Sequence, residues 1–249
     1  MESVLPAIWA KIAGGFAHIE APSVGLLELL AVTLVAAAVS TIPVTWRFFA
    51  LFVTLVHELG HAVAGIMTGR IVTSIKLRFD HSGVTSSYGN LGGPGEVWCT
   101  FWGYPVPAVV GGALIWAGLS GWAPAALSIG AIVLLATVLV IRNWAGLSVV
   151  LSVMAASIAL LLLASGEILG YATVFLGIGL LIGSVRDWFK VLSVHTSRQD
   201  EIETSDAQIL SRFTGIPSPV WLGLFAVPIL GAWFFAATSV HQVFAAATA

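Results

Sequence analysis

Long apolar runs alternate along this chain with short joints rich in turn-forming residues, and polar residues gather in only a few places. Seven runs approach the roughly 20 residues that a helix rising about 1.5 Å per residue needs to cross a hydrocarbon core. They are 22–42, 45–68, 104–121, 124–141, 146–163, 168–187 and 218–238. The joints "TIPVT", "SGWAP", "RNWAG" and "ASGE" are so short that neighbouring helices run antiparallel. The 104–121 run is rich in Gly and Pro, which points to a broken or re-entrant helix. After the second run the period changes from helical to two. Ile75, Leu77 and Phe79 alternate with Ser74, Lys76 and Arg78, "DHSG" follows as a turn, and a second segment runs from Val84 to Tyr88. That pattern predicts a hairpin.

The fold expected is an all-α polytopic membrane protein of about six to seven transmembrane helices, with a small β-hairpin after the second of them. One transmembrane domain spans 22–238, with 71–103 as a hairpin and re-entrant loop and 188–217 as a cytoplasmic loop. A segment 1–21 precedes it and a tail 239–249 follows.

Composition supports the bilayer. Of 249 residues 58% are hydrophobic and only 9% charged, whereas soluble domains carry about 25% charged residues. The net charge of −2 gives no sign of a nucleic-acid partner. The one cysteine, Cys99, excludes an intrachain disulfide. Glu2 and the lack of a basic segment before an apolar core make the N-terminus a poor signal peptide. A cytoplasmic N-terminus puts Lys11, Arg70, Lys76, Arg78, Arg142, Arg186, Lys190, Arg198 and Arg212 on the cytoplasmic side and leaves Arg47 alone on the other. This is the bias of the positive-inside rule. Trp46 and Trp122 then mark one interface, and Trp144, Trp188 and Trp221 the other. The expected location is a multi-pass protein of a bacterial cytoplasmic membrane, in contact with the lipid bilayer.

Inside the second run lies His57-Glu58-Leu59-Gly60-His61, the pattern H-E-x-x-H. On a helix, positions i and i+4 share a face, so two imidazoles can meet one metal ion while the glutamate between them addresses water. Zn²⁺ suits imidazole and needs no redox chemistry for hydrolysis. Each ionisable group at the centre of a span costs about 2.5–3.5 kcal/mol on insertion scales, so three without a shared task would be expensive. A hydrogen-bonded polar knot between helices is the plainer alternative. Gly60, Ala64, Gly65 and Gly69 on the same helix leave room for other backbones to approach.

A catalytic zinc takes three protein ligands and keeps a position open. Asp187, in a helix that stays apolar beyond it, sits at a depth matching His61 and is the first choice for the third ligand. Asp206 is its rival, although Ser205 or Asp206 also suits the first turn of a short helix ended by Gly215 and Pro217. Asn143 is a candidate hydrogen-bond donor to an oxyanion, or simply an interfacial cap. His18, His81, His195 and His241 read as solvent-facing, and Cys99 as a packing residue.

These residues, in this order, resemble the site-2 protease family of intramembrane zinc metallopeptidases (metallopeptidase family 50), especially its B-like branch. The resemblance rests on "VHELGHAVAGIMTGRIVTSIKL", the "SGVTSSYG" hairpin, "GYPVPAVVGGAL", "RNWAG", "SVRDW" and "SDAQILSRFTGIPSPVW", and covers most of 45–222. It implies His57 and His61 as zinc ligands, Glu58 as catalytic acid and base, and an edge strand that helps hold substrate. The L-D-G segment that supplies an aspartate in better-known members is absent, so Asp187 or Asp206 must take that place. The function expected is hydrolysis of peptide bonds in a membrane protein or transmembrane peptide, with Glu58 as general base on water activated by zinc. A catalytically inactive metal-binding scaffold is the alternative. So is a transporter with an intramembrane ion site, although the chain has no internal repeat and transport would not need Glu58 between the ligands.

Overall fold

Ile42, extended between two helices, ends α1 (Leu26–Thr41) and lets α2 (Pro43–Met67) begin with proline, which lacks only an N–H that would have gone unpaired. α2 closes in a Schellman turn. Gly69 takes a φ of 78°, its N–H donates to Ile66 O at 3.0 Å, and the Arg70 N–H donates to Gly65 O at 2.9 Å. The chain then turns back on α2 as an antiparallel hairpin, β1 (Ile71–Leu77) and β2 (Gly83–Tyr88), with a bulge between Val72 and Ser74. Helices α3 (Pro94–Phe101), α4 (Pro105–Leu119), α5 (Ala123–Val138), α6 (Trp144–Leu163) and α7 (Gly166–Thr196) follow. A 3-10 turn at Gln199–Thr204 leads to α8 (Asp206–Thr214) and α9 (Ser218–Ala247). This computed structural model describes residues 6, 9–10, 14–89, 93–197 and 199–247; Lys11 and Arg198 of the basic count lie outside them.

The hairpin forms where the period-two pattern placed it, though β1 stops at Leu77 and leaves Phe79 exposed beyond it. Ile75 and Leu77 are fully enclosed, packed with Leu51 and Leu55 of α2, Leu134 of α5 and Val149 and Val150 of α6. The outer edge of β1 is closed as well. The Ile75 N–H donates to Val140 O at 2.9 Å, and the Arg142 N–H donates to Ile75 O at 3.0 Å. Asn143 extends the pairing with its side chain: Leu77 N–H donates to Oδ1 at 3.2 Å and Nδ2 donates to Leu77 O. One asparagine thus serves as a residue of a third strand.

β2 lies along α2. His81 at its approach bonds the Arg47 carbonyl through its ring and receives the Thr54 hydroxyl on its own carbonyl. Gly83 and Thr85 meet Glu58, and Ser87 accepts from Arg70 Nε at 2.9 Å. The hairpin tip therefore sits at the Arg47 end of α2, so Arg78 lies near Arg47 rather than with Arg70. That removes Arg78 from the side on which the basic count had placed it.

All seven apolar runs are helical, but among the described residues only α2, α6, α7 and α9 are single helices long and apolar enough to cross a membrane. α3 and α4, bent by 57° at their break, make up to a fifth. Among the described residues there are thus four or five candidate spans, against the six to seven expected. α1 and α5 have 16 residues each, about 24 Å of helix against a core of about 30 Å. Segment 188–217, expected as a loop, is helical as far as Thr196 and again in α8, and α9 continues through Ala247 into the expected tail. At the centre α4 and α7 pack antiparallel through bare backbone. A Cβ on Gly111 would meet Gly177 O at 2.7 Å, and one on Gly118 would meet Gly170 O at 2.7 Å.

Candidate metal centre

His57 and His61 sit one turn apart on α2, and three other elements close round them. The α3–α4 break comes first. The Trp102 carbonyl rests against Gly60, where a Cβ would lie 2.5 Å from it, and Gly103 faces both imidazoles. A Cβ on Gly103 would overlap His61 Nε2 and lie 2.8 Å from His57 Nε2, so only glycine leaves that space open. From α3, the Cys99 carbonyl accepts from His61 Nδ1 at 2.9 Å, and its thiol donates to His61 O at 3.2 Å. With Nδ1 so engaged, the ring turns the lone pair of Nε2 inward. Tyr104 sets its ring edge-on to His57 at 4.8 Å and stacks on Phe225 at 5.2 Å.

The third donor comes from α8. Ser205 caps this helix, its Oγ accepting from the Gln208 N–H at 3.3 Å, and Gly215 ends it with a φ of 73°. Ala207 and Leu210 bury its apolar side against Val191 of α7 and Trp221 and Phe225 of α9. Asp206, in the first turn, is thereby aimed at the histidines. Its Oδ2 lies 3.4 Å from His57 Nε2 and 3.3 Å from His61 Nε2, and the two Nε2 atoms are 3.1 Å apart. Burial alone would push the Asp206 carboxyl up; the imidazoles beside it, His61 foremost, hold it well below the usual carboxylate range.

These separations fit a tetrahedral ion. Ligands about 2.0–2.1 Å from a tetrahedral zinc stand roughly 3.3–3.4 Å from one another. Asp206 Oδ2 is sealed from solvent and, among the described residues, has the two imidazole nitrogens nearby but no well-formed hydrogen bond, a costly condition for a buried charged oxygen unless a cation satisfies it. His57, His61 and Asp206 form a group that could hold a metal ion.

Glu58 is 3% exposed. Its Oε2 accepts from the Thr85 hydroxyl at 2.7 Å, and that hydroxyl also lies 3.1 Å from Glu58 O. A Cβ on Gly83 would overlap Glu58 Oε1.

Asp187, first choice in the sequence, is on α7 within electrostatic reach of His57 but is not one of the three converging donors. Depth along a helix cannot say which way a side chain turns, and the cap that made Asp206 look ordinary is what aims it. Asn143 holds β1 through Leu77. His18 bonds Ser120 O at 2.9 Å, and His195 joins Ser205 Oγ at 2.7 Å to Ser218 Oγ at 3.3 Å rather than facing solvent.

A profile of Peptidase M50B-like proteins matches residues 30–236. The chain belongs to the peptidase M50B-like family. The matched stretch reaches from α1 into α9 and includes His57, Glu58, His61, Asp187 and Asp206. No curated protein and no solved structure matches this M50B-like chain. Thr85, Gly83, Gly103 and the Cys99 carbonyl escaped the sequence reading. For the first two a signal existed: alternation after "DHSG" puts Gly83 and Thr85 on one face of the strand that follows the motif helix.

Proposed function

We propose that this M50B-like protein is an intramembrane zinc metalloendopeptidase in which His57, His61 and Asp206, rather than Asp187, hold the metal and Glu58 is the general base. The observation that carries the reading is the triangle of two Nε2 atoms and Oδ2 with edges of 3.1, 3.3 and 3.4 Å, beside a buried glutamate. Bound there, zinc would polarise a scissile carbonyl and bring the pKa of water at its open position toward about 7. Glu58 would take the proton of the attacking water and return it to the departing amine. Cys99 O keeps His61 in the ligating tautomer, and the Ser205 cap keeps Asp206 in place. The substrate is a membrane protein or transmembrane peptide, unwound locally because a helix hides its carbonyls. The open edge of β2, beside Glu58, supports its capture by strand addition.

Metal analysis of the purified full-length protein tests the ligand set. His57→Ala, His61→Ala and Asp206→Ala should each lose zinc, while Asp187→Ala and Glu58→Gln keep it. Glu58→Gln should also abolish cleavage of a fluorogenic apolar peptide. Zinc retained by Asp206→Ala and lost by Asp187→Ala would reverse the assignment; wild-type turnover by Glu58→Gln would remove the base.

A further inference from the structure

We propose that Thr85 is the positioning residue of this reaction: its hydroxyl fixes the Glu58 carboxylate while its own N–H and C=O receive the substrate strand. The inference rests on the peptidase reading above and adds which residue aligns base and substrate.

The register of the hairpin carries it. In an antiparallel pair, directly opposed residues either exchange both backbone bonds or turn both outward. Thr85 is opposite Ile75, and the N–H and C=O of Ile75 are spent on Val140 and Arg142, on the far side of β1. The backbone groups of Thr85 therefore point the other way, to the open edge of β2. Gly83 repeats the pattern. It is opposite Leu77, whose N–H and C=O are both taken by Asn143.

Side chains on β2 alternate as strictly: Gly83, Thr85 and Ser87 turn inward, while Val84, Ser86 and Tyr88 are exposed. Gly83 and Thr85, whose backbones face the open edge, thus also touch Glu58. Thr85 supplies the hydrogen bond to Oε2 at 2.7 Å. Gly83 supplies bare Cα surface beside Oε1, leaving that oxygen free to take a proton. Polar backbone alongside a membrane-crossing helix must be paired or line a water-filled cavity, so this edge suits an incoming strand. A strand exchanging both bonds with Thr85 lies next to the carboxylate that the same residue holds.

The test uses the full-length, zinc-loaded protein in phosphatidylcholine vesicles and two readouts. The first is turnover of a fluorogenic apolar peptide with a Gly-Pro break. Thr85→Ser restores the hydroxyl and should stay within about threefold of wild type, whereas Thr85→Val should keep its zinc and KM and lose kcat roughly 10- to 100-fold. The second is binding of an extended peptidyl hydroxamate, methylated on one backbone nitrogen at a time. Affinity should fall about tenfold or more at alternate positions only, those whose N–H faces β2. Wild-type kcat in Thr85→Val, a loss confined to zinc or KM, or methylation effects without alternation would each overturn the proposal. Wild-type turnover by Glu58→Gln, or no turnover by the wild type, would instead defeat the peptidase reading and the Thr85–Glu58 role that rests on it. The methylation pattern then still decides strand capture by itself.

Discussion

At the scale of single residues, the centre depends on what is missing as much as on what is there. Gly103 leaves room in front of two imidazole nitrogens that a methyl group would fill. Gly103→Ala should therefore keep the fold but weaken zinc binding by roughly 10- to 100-fold, the usual cost of disturbing what surrounds metal ligands; competition with a fluorescent chelator measures it, and unchanged affinity would mean that the α3–α4 break yields easily. His57, Glu58 and His61 were legible in the sequence because helix periodicity alone puts i and i+4 on one face. Which of the two aspartates converges on them was not. Asp187 matched them in depth, but orientation about α7 is set by the glycine contacts with α4, and Asp206 arrives on a separate short helix whose cap looked purely structural. Carbonyl partners such as Cys99 O leave no mark in a sequence, since every residue carries one.

At the scale of elements, Arg70 ties three of them together. It leaves the Schellman end of α2, donates through Nε to Ser87 of β2, and pairs through Nη1 with Glu96 of α3, its side chain 7% exposed. Removing one partner of so buried a pair strands the other, typically at about 3–5 kcal/mol. Arg70→Met should cost about that much, and the double variant Arg70→Met/Glu96→Leu should recover a good part of it; thermal unfolding in detergent reads both, and equal losses in single and double variants would show that Ser87 carries the link. The hairpin itself was legible, because period-two alternation survives in a chain otherwise written in period 3.6. Its direction was not. Nothing local says that a hairpin returns along the preceding helix, which is why the basic count put Arg78 and Arg47 on opposite sides. Span number is less legible for a related reason: apolar runs mark helices, but Pro94, Pro105 and the 16-residue lengths of α1 and α5 bear on which of them are long enough to reach across.

At the scale of the whole molecule, the described residues form four or five helices long and apolar enough to cross a membrane, with a hairpin laid along α2 and packed against α6. With Cys99 replaced by alanine, single cysteines at Arg47 and Asp80 should react with an impermeant thiol reagent from one side of a sealed vesicle and a cysteine at Arg70 from the other. Labelling of positions 70 and 80 from the same side would mean that α2 does not cross. The placement of Asp206 also has a consequence in time. Ribosomes deliver the chain from its N-terminus, so the two imidazoles enter the lipid long before α8 exists. During that interval they have the Cys99 carbonyl and the hairpin for company but not the Asp206 carboxylate that converges on both. On the proposed ligand set, loading with zinc would then be a late event of biogenesis, and a nascent chain halted before Ser205 would be inserted yet chemically inert: the last short helix would arm the proposed enzyme.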